Sequence, residues 1–593
     1  MPFLAEETYA IPNKDILSWI FDDIEYDVDK PVYVDAADPT RTVSARRARD
    51  IVCRLIAGFK AAGLQRGDCV CIHAFNDIAY SLAFLAIVGA GGVYAGTNPS
   101  YTAHELAHAF RTADVKFVLV EPAVLKNVAT AAAMTAIPDS NIFLFNPTAQ
   151  KQSQAGAPNG TVAAEPQMRD WDWLMSQGSS DWERFDDHDT ATSRPAARLF
   201  SSGTTGLPKA LDVTHHNFVA HHTLYMEHPV HAPRRDAAYE LRRLVVNPMF
   251  HVSQVWRANL TPLRMGHYTV IMRRFETEAW LKCIDEHRIS EINVVPAMVN
   301  TIVASPVSQK YSFASLRNAT SGAAPMTKEQ QARLKALMPP KTPLNQVWGM
   351  SETGSIGLAL YYPEEDTTGS CGRPIPNLDV KLVDEQGTDI TAYDTRGELC
   401  VRGPTVVSGY YRNPKANASD WDADGWFHTG DVAYCDSQTK LWYIVDRKKE
   451  LIKVRGFQVA PMEIEGVLLS HPLIVDAAVI GVTLTANGSE LPRAYIVLQP
   501  GAQLEVADLI AYLAEKLSRF KRPDGGVVIV DRIPKNANGK FLKQKLKEMA
   551  RLELGLDTPE AKTVASVPRL VEPERETVVE TAVASPAVAV VAA

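Results

Sequence analysis

Ten consecutive residues, Phe200 to Lys209, concentrate the polar chemistry of this chain. Hydroxyls stand at Ser201, Ser202, Thr204 and Thr205, glycines at Gly203 and Gly206, and an ammonium at Lys209. Glycines let a backbone turn tightly and come close to a phosphate. Hydroxyls and exposed N–H groups in such a loop make a nest for an anion, and Lys209 adds a point charge suited to a triphosphate. The spacing G-K-[ST] of a Walker A loop is absent. A second charged stretch runs from Asp446 to Arg455 with Arg447, Lys448, Lys449 and Lys453 between them. By itself such a run reads as a solvated face, and Trp348 by itself reads as a core aromatic.

These groups need elements to hold them. Ser44 predicts an N-cap, followed by Ile51, Val52, Leu55, Ile56 and Phe59 at helical spacing, with Gly63 as the stop. Strands are expected over 69–75, 116–120 and 142–145, and a helix of small residues over 78–88. This alternation predicts an α/β architecture: a large N-terminal multi-subdomain α/β domain over 1–445. Residues 147–195 read as an irregular connection. A second unit, 449–550, is expected to be a small α+β domain, with strands over 477–482, 494–498 and 525–530 and a helix over 506–520. From 557 to 593 the composition shifts to Val, Ala, Pro, Glu and Thr without helical period and predicts a disordered tail.

The chain has 593 residues, 46% hydrophobic and 22% charged, which fits a soluble globular protein. Its net charge of -8 argues against nucleic acid as the main partner. Seven cysteines without C-x-x-C pairing read as reduced thiols. No basic n-region opens the chain, no stretch is long enough for a membrane span, and Val-Ala-Ala at the end is not a peroxisomal address. The expected location is the cytoplasm.

Along residues 10–545 a set of motifs recurs in one order. After the Ser/Thr/Gly loop come Asn-Pro-Met-Phe250-His251, then Ser321-Gly322-Ala323-Ala324-Pro325, then Gln346-Val347-Trp348-Gly349-Met350-Ser351-Glu352. Gly397-Glu398-Leu399, Thr429-Gly430-Asp431, the run from Asp446 to Pro461 and Pro534-Lys535-Asn-Ala-Asn-Gly539-Lys540 follow. Together they resemble the adenylate-forming superfamily, which includes acyl-CoA synthetases, 4-coumarate–CoA ligases, beetle luciferases and peptide-synthetase adenylation domains.

The resemblance implies an ATP-dependent acid–thiol ligase. It implies ATP, Mg²⁺ and coenzyme A as the small-molecule partners of an aromatic or medium-chain carboxylic acid. Lys209 and the hydroxyl loop would hold phosphates, Glu352 would bind Mg²⁺ and Ser351 would touch the α-phosphate. Trp348 and the Gly322–Ala324 backbone would flank adenine beside Gln346 and Gly349. Asp431 and Arg447 would hold the ribose. Lys540 would counter charge as the carboxylate attacks. His251 would border the acyl pocket with Ser253 and Arg257 beyond it. The small domain would be mobile, swinging about Lys449 to exchange Lys540 for Lys453, Arg455 and Gly456 in a thiol step. Ala210 and Val347 replace glycines usual in the family, and Ser253 and Arg257 depart from the coumarate ligases. An arginine facing the pocket would favour a second anionic or polar group on the acid. Two alternatives remain: an adenylating enzyme that loads a separate carrier-protein thiol, and a non-catalytic nucleotide-binding protein.

Overall fold

The computed structural model describes residues 5, 7–147, 168–201, 208–227, 239–454, 457–484, 490–536 and 539–555. The expected tail at 557–593 therefore lies outside the described residues, as do Ser202, Gly203, Thr204, Thr205, Gly206, Arg455 and Gly456.

Two largely parallel sheets form the body of the larger domain. One has six strands in the order Ile142–Leu144, Val115–Val120, Cys69–His73, Val93–Gly96, Pro195–Ser201 and Lys209–Thr214, with only the last pair antiparallel. The other has seven, from Leu344–Gln346 through Asn318–Ser321, Glu291–Val294, Arg242–Val245, Tyr268–Ile271 and Pro31–Asp35 to Thr42–Ser44. Cys69–His73 is buried at every position, as a strand covered on both faces must be.

The helix Ile78–Gly89 has no polar face, and all twelve of its residues are buried. It packs against both Ala45–Ala61 and Val252–Asn259 and so joins the two sheets' layers. Its Ser81 hydroxyl donates to Asn259 Oδ1 at 2.9 Å. The helix Ala45–Ala61 starts where Ser44 predicts, with the Ser44 hydroxyl accepting from the Arg47 N–H. Asn76 stitches the sheets at their C-terminal ends. Its amide donates to the carbonyls of Val246, Asn247 and Met272, and its oxygen accepts from Met249 N at 2.9 Å.

A five-stranded antiparallel sheet follows, including Gly397–Arg402, Phe427–Cys435 and Trp442–Arg447. The smaller C-terminal domain has its own sheets: the hairpin Ile452–Val454 with Phe457–Val459, and Ile474–Thr483 with Glu490–Leu498 and Val527–Ile529. Helices Pro461–Leu469, Val506–Lys516 and Lys543–Glu553 cover them. Ile464, Leu468, Val479, Ile496, Leu509 and Leu513 form a separate core there.

Two expectations need correction. The helix expected over 506–520 ends at Lys516, because Leu517 turns extended (φ -120°, ψ 135°) to bury its side chain. The connection expected to be irregular holds two short helices in its described part, Trp171–Met175 and His188–Ser193. Asp170 and Asp187 cap them by accepting from Trp173 N and Thr190 N, a local signal that short polar sequences hide.

Candidate active site

A cavity of about 560 Å³ opens where the C-terminal ends of the parallel strands, the Trp348–Met350 segment and the C-terminal domain meet. Ser201, His251, Ser253, Arg257, Gly322, Ala323, Gly349, Ser351, Glu352, Arg447 and Lys540 all line it. They come from six separate stretches of sequence.

The cation side takes one residue from each domain, Arg447 and Lys540. Arg447 ends the strand Trp442–Arg447 and pairs in register with Asp431 on the neighbouring strand. Its Nε lies 2.5 Å from Asp431 Oδ1. Lys540 enters from the C-terminal domain on a turn closed by Asn536, whose side-chain oxygen accepts from Lys540 N at 2.9 Å. Gly539 sits at φ +77°, and a Cβ there would meet Ala297 Cβ at 3.1 Å, so glycine suits this close approach. Burial and, next, the Arg447 charge lower the Lys540 pKa, with Glu450 and Asp431 opposing. A buried ammonium beside another cation is poised for anionic ligands.

The anion side is Glu352, which is 4% exposed. Burial raises its pKa, against the Tyr410 hydrogen bond and the charges of Arg447 and Lys209. Tyr410 donates its hydroxyl to Glu352 Oε1 at 2.9 Å. Lys209 Nζ lies 3.7 Å over the Tyr410 ring and 3.0 Å from Asp420. Lys209 thus reaches the site through Tyr410 and is not itself on the cavity wall. Among the described residues no group of three or more His, Cys, Asp or Glu side chains could hold a metal ion. A single carboxylate suits Mg²⁺ bound chiefly by phosphate and water oxygens. Ser201 Oγ and Ser321 Oγ are buried without a hydrogen-bond partner among the described residues, an arrangement that suits a polar ligand.

The pocket end of the cavity follows the helix Val252–Asn259. His251 is its N-cap, and His251 Nδ1 lies 2.9 Å from Ser253 Oγ. Burial pushes the His251 pKa down to about 4, so the ring is neutral at physiological pH. Arg257 lies one turn beyond Ser253 and is 7% exposed. The neighbouring Trp256 indole donates to Ser355 Oγ at 3.0 Å.

Not every expected residue reaches the cavity. Trp348 is 7% exposed and lies off the wall; its indole N–H donates to Asp431 Oδ2 at 2.7 Å. Val347 and Gly349 line the wall in its place. Asp431 is held by both Trp348 and Arg447 and stands behind Arg447. Gln346 is structural: its oxygen accepts from Met326 N at 2.6 Å and its amide donates to Gly369 O at 3.2 Å. Ala324 is off the wall, whereas Ala323 lines it at φ +68°. Lys449 and Lys453 are exposed and outside the cavity; the Lys453 N–H donates to Glu490 Oε2.

Sequence reasoning did not single out Tyr410, or the pair Arg273 and Arg274 stacked on Phe75 at the cavity edge. The Arg-Arg doublet was a visible signal. Tyr410 had none, since its partner Glu352 is 58 residues away.

Comparison with known proteins agrees with this geometry. Residues 21–411 match the family model described as AMP-binding enzyme, and 463–540 match the AMP-binding enzyme C-terminal domain. The chain is similar to the acyl-CoA ligase azaF of Aspergillus niger, with 46% identity over 92% of this chain and 100% of that one. It is likewise similar to the phenylacetyl-CoA ligase epaB of Aspergillus niger, 46% identical over 92% of this chain and 99% of that one. Among solved structures, ATP-bound MatB from Rhodopseudomonas palustris superposes with a TM-score of 0.75 at 25% identity, covering 90% of this chain and 98% of that one.

Proposed function

The chain belongs to the AMP-binding enzyme family as an ATP-dependent acid–thiol ligase of the acyl-CoA synthetase type, and on that premise we propose how its residues divide the reaction and which acids it takes. In the first half-reaction the acid's carboxylate attacks the α-phosphate of ATP, an acyl-adenylate forms and pyrophosphate leaves. Two anions must meet, so the site has to supply positive charge where the transition state gains negative charge. Lys540 does this from the C-terminal domain, with Arg447 beside it. Ser351 and Ser201 offer hydroxyls to phosphate oxygens. Glu352, oriented by Tyr410, would hold Mg²⁺, which would supply positive charge against the phosphates. Neutral His251, its Nδ1 engaged by Ser253, positions the acid through Nε2. Arg447, held from behind by Asp431, meets the ribose, and the Gly322–Ala323 backbone with Val347 and Gly349 forms the adenine slot.

In the second half-reaction the thiol of coenzyme A attacks the acyl carbonyl and AMP leaves. Lys453, Arg455 and Gly456 serve this step after the C-terminal domain, 449–550, turns about Lys449 relative to 1–445. The convergence of Lys540, Arg447, Ser351 and Glu352 on one cavity carries the adenylation reading. Apolar walls from Val252, Ile356 and Met298 support an aromatic or medium-chain acid, and the similarity to a phenylacetyl-CoA ligase favours an aromatic one.

Separated half-reactions test the assignment. Lys540→Ala should lower ATP–pyrophosphate exchange at least about a thousandfold while supplied acyl-AMP still reacts with coenzyme A. Lys453→Ala should show the opposite bias. Equal losses in both half-reactions for either variant would remove the two-orientation reading.

A further inference from the structure

We propose that Arg257 reads a second oxygen acceptor, a carboxylate for preference, at the far end of the acid; this rests on the assignment of the acyl pocket above. The helix Val252–Asn259 runs from its N-cap at His251 into the protein, where Ala258, Asn259 and Leu260 are wholly buried. Ser253 and Arg257 are four residues apart, hence on one face, and both line the cavity. At 1.5 Å rise per residue, Arg257 is about 9 Å deeper along the helix than His251. An acid with its reacting carboxylate at His251 and Lys540 can therefore reach toward Arg257 with its other end.

Among the described residues that line the cavity, the neighbours of Arg257 are uncharged. The Arg257 guanidinium carbon lies 5.0 Å from the Trp256 ring centroid. His221 packs on Trp256 and accepts from Ile356 N at 3.1 Å. Burial, then the charges of His222 and Arg257, hold the His221 pKa down to about 3, so this ring is neutral and bears no competing charge. Among the described residues lining the cavity, six are Arg or Lys and the only carboxylate is Glu352. Arg447 and Lys540 are used by the nucleotide chemistry, Lys535 pairs with Asp476 and Arg273 with Glu121. Arg274 is exposed at the rim over Phe75. Among the described lining residues, Arg257 is the buried cation at the acyl end.

A guanidinium carries five N–H donors in a planar fork, so it can keep a protein partner on one edge and hold a ligand carboxylate on another. A site built to satisfy an acceptor also rejects the analogue that lacks it, because the desolvated donor is left short of a partner. Arg257 thus gives selection as well as binding.

The test uses two matched pairs, phenylacetate with (4-carboxyphenyl)acetate and hexanoate with hexanedioate. ATP–pyrophosphate exchange gives kcat/KM for each acid with the full-length enzyme and with Arg257→Met and Arg257→Lys. The wild type should prefer the carboxylated member of at least one pair by tenfold or more. Arg257→Met should reduce that ratio at least tenfold, and Arg257→Lys, which keeps the charge and loses the fork, should fall between. The ratio within each variant cancels any general loss of folded enzyme, which thermal unfolding measures separately. Exchange with the plain acids and no preference for their partners overturns the Arg257 inference and leaves the ligase reading intact; so does an unchanged ratio in Arg257→Met. No exchange with any of the four acids overturns both the aromatic or medium-chain reading and this inference.

Discussion

Single side chains decide how charge is held in this site. The pKa of Lys540 is lowered, chiefly by burial, and adenylation needs its charged form. As pH rises through that lowered pKa the proton leaves and the rate falls, so the alkaline limb of the exchange reaction lies below the ordinary lysine range. The sign for stability is opposite. Between the folded and unfolded pKa values the unfolded chain binds more protons, so this residue makes stability rise with pH in that window. Lys540→Arg should move the limb upward in a pH profile even if the maximal rate drops; an unmoved limb assigns it to another group. Gly349 is constrained by space. A Cβ there would come within 1.7 Å of the Ser355 carbonyl oxygen, so Gly349→Ala should cost more than about 4 kcal/mol, seen as a lower denaturation midpoint or insoluble protein. The motif string made Gly349, Glu352 and Lys540 legible, because their types are dictated by chemistry or by space. It does not tell that Trp348, Gln346 and Lys209 stand off the cavity wall. Their directions depend on Asp431, Met326 and Asp420, which a linear motif does not contain.

At the scale of elements, a buried charge cluster ties the end of the larger domain to the smaller one. Lys543, in the helix Lys543–Glu553, lies 3.0 Å from Glu450 and 3.6 Å from Glu465 of the helix Pro461–Leu469. Asp446 on the strand Trp442–Arg447 faces the same ammonium and accepts from Met462 N at 3.4 Å. Burial disfavours charge on Lys543, but three carboxylates outweigh it and raise its pKa. Removing the one cation strands those carboxylates. Lys543→Met should therefore cost about 3–5 kcal/mol in the C-terminal domain, read as a lowered first thermal transition and faster proteolysis after residue 450. Because Asp446 and Lys543 belong to different domains, exchange should fall further than turnover of supplied acyl-AMP. The βα alternation at 69–144 was legible because strands buried on both faces leave continuous apolar runs. The helices Pro461–Leu469 and Lys543–Glu553 were not read as elements. The first is short, and the second is highly charged and buries only Leu546 and Ala550.

For the molecule as a whole, the cavity has one set of walls and two candidates for its open side. Lys540 occupies that side, while Lys453 is exposed on the hairpin Ile452–Val454 with Phe457–Val459, its N–H held by Glu490. Both lysines are carried by the C-terminal domain, Lys453 beside one apolar cluster and Lys540 beside another. Lys449→Pro, which freezes one backbone rotation at the turn between domains, should keep pyrophosphate exchange and lose most thioester formation; retention of both at wild-type rates would place the pivot elsewhere.

The exclusive seating of Lys540 sets an order of kinetic events. On the two-orientation reading proposed above, Lys453 is turned outward while Lys540 faces the nucleotide, so pyrophosphate should depart before coenzyme A reacts. The enzyme then passes through a form that holds only the activated acid, and initial-rate lines for ATP at several coenzyme A concentrations should be parallel. During that interval the adenylate depends on the same buried surfaces to keep water out, and hydrolysis in the absence of coenzyme A measures how long the enclosure lasts.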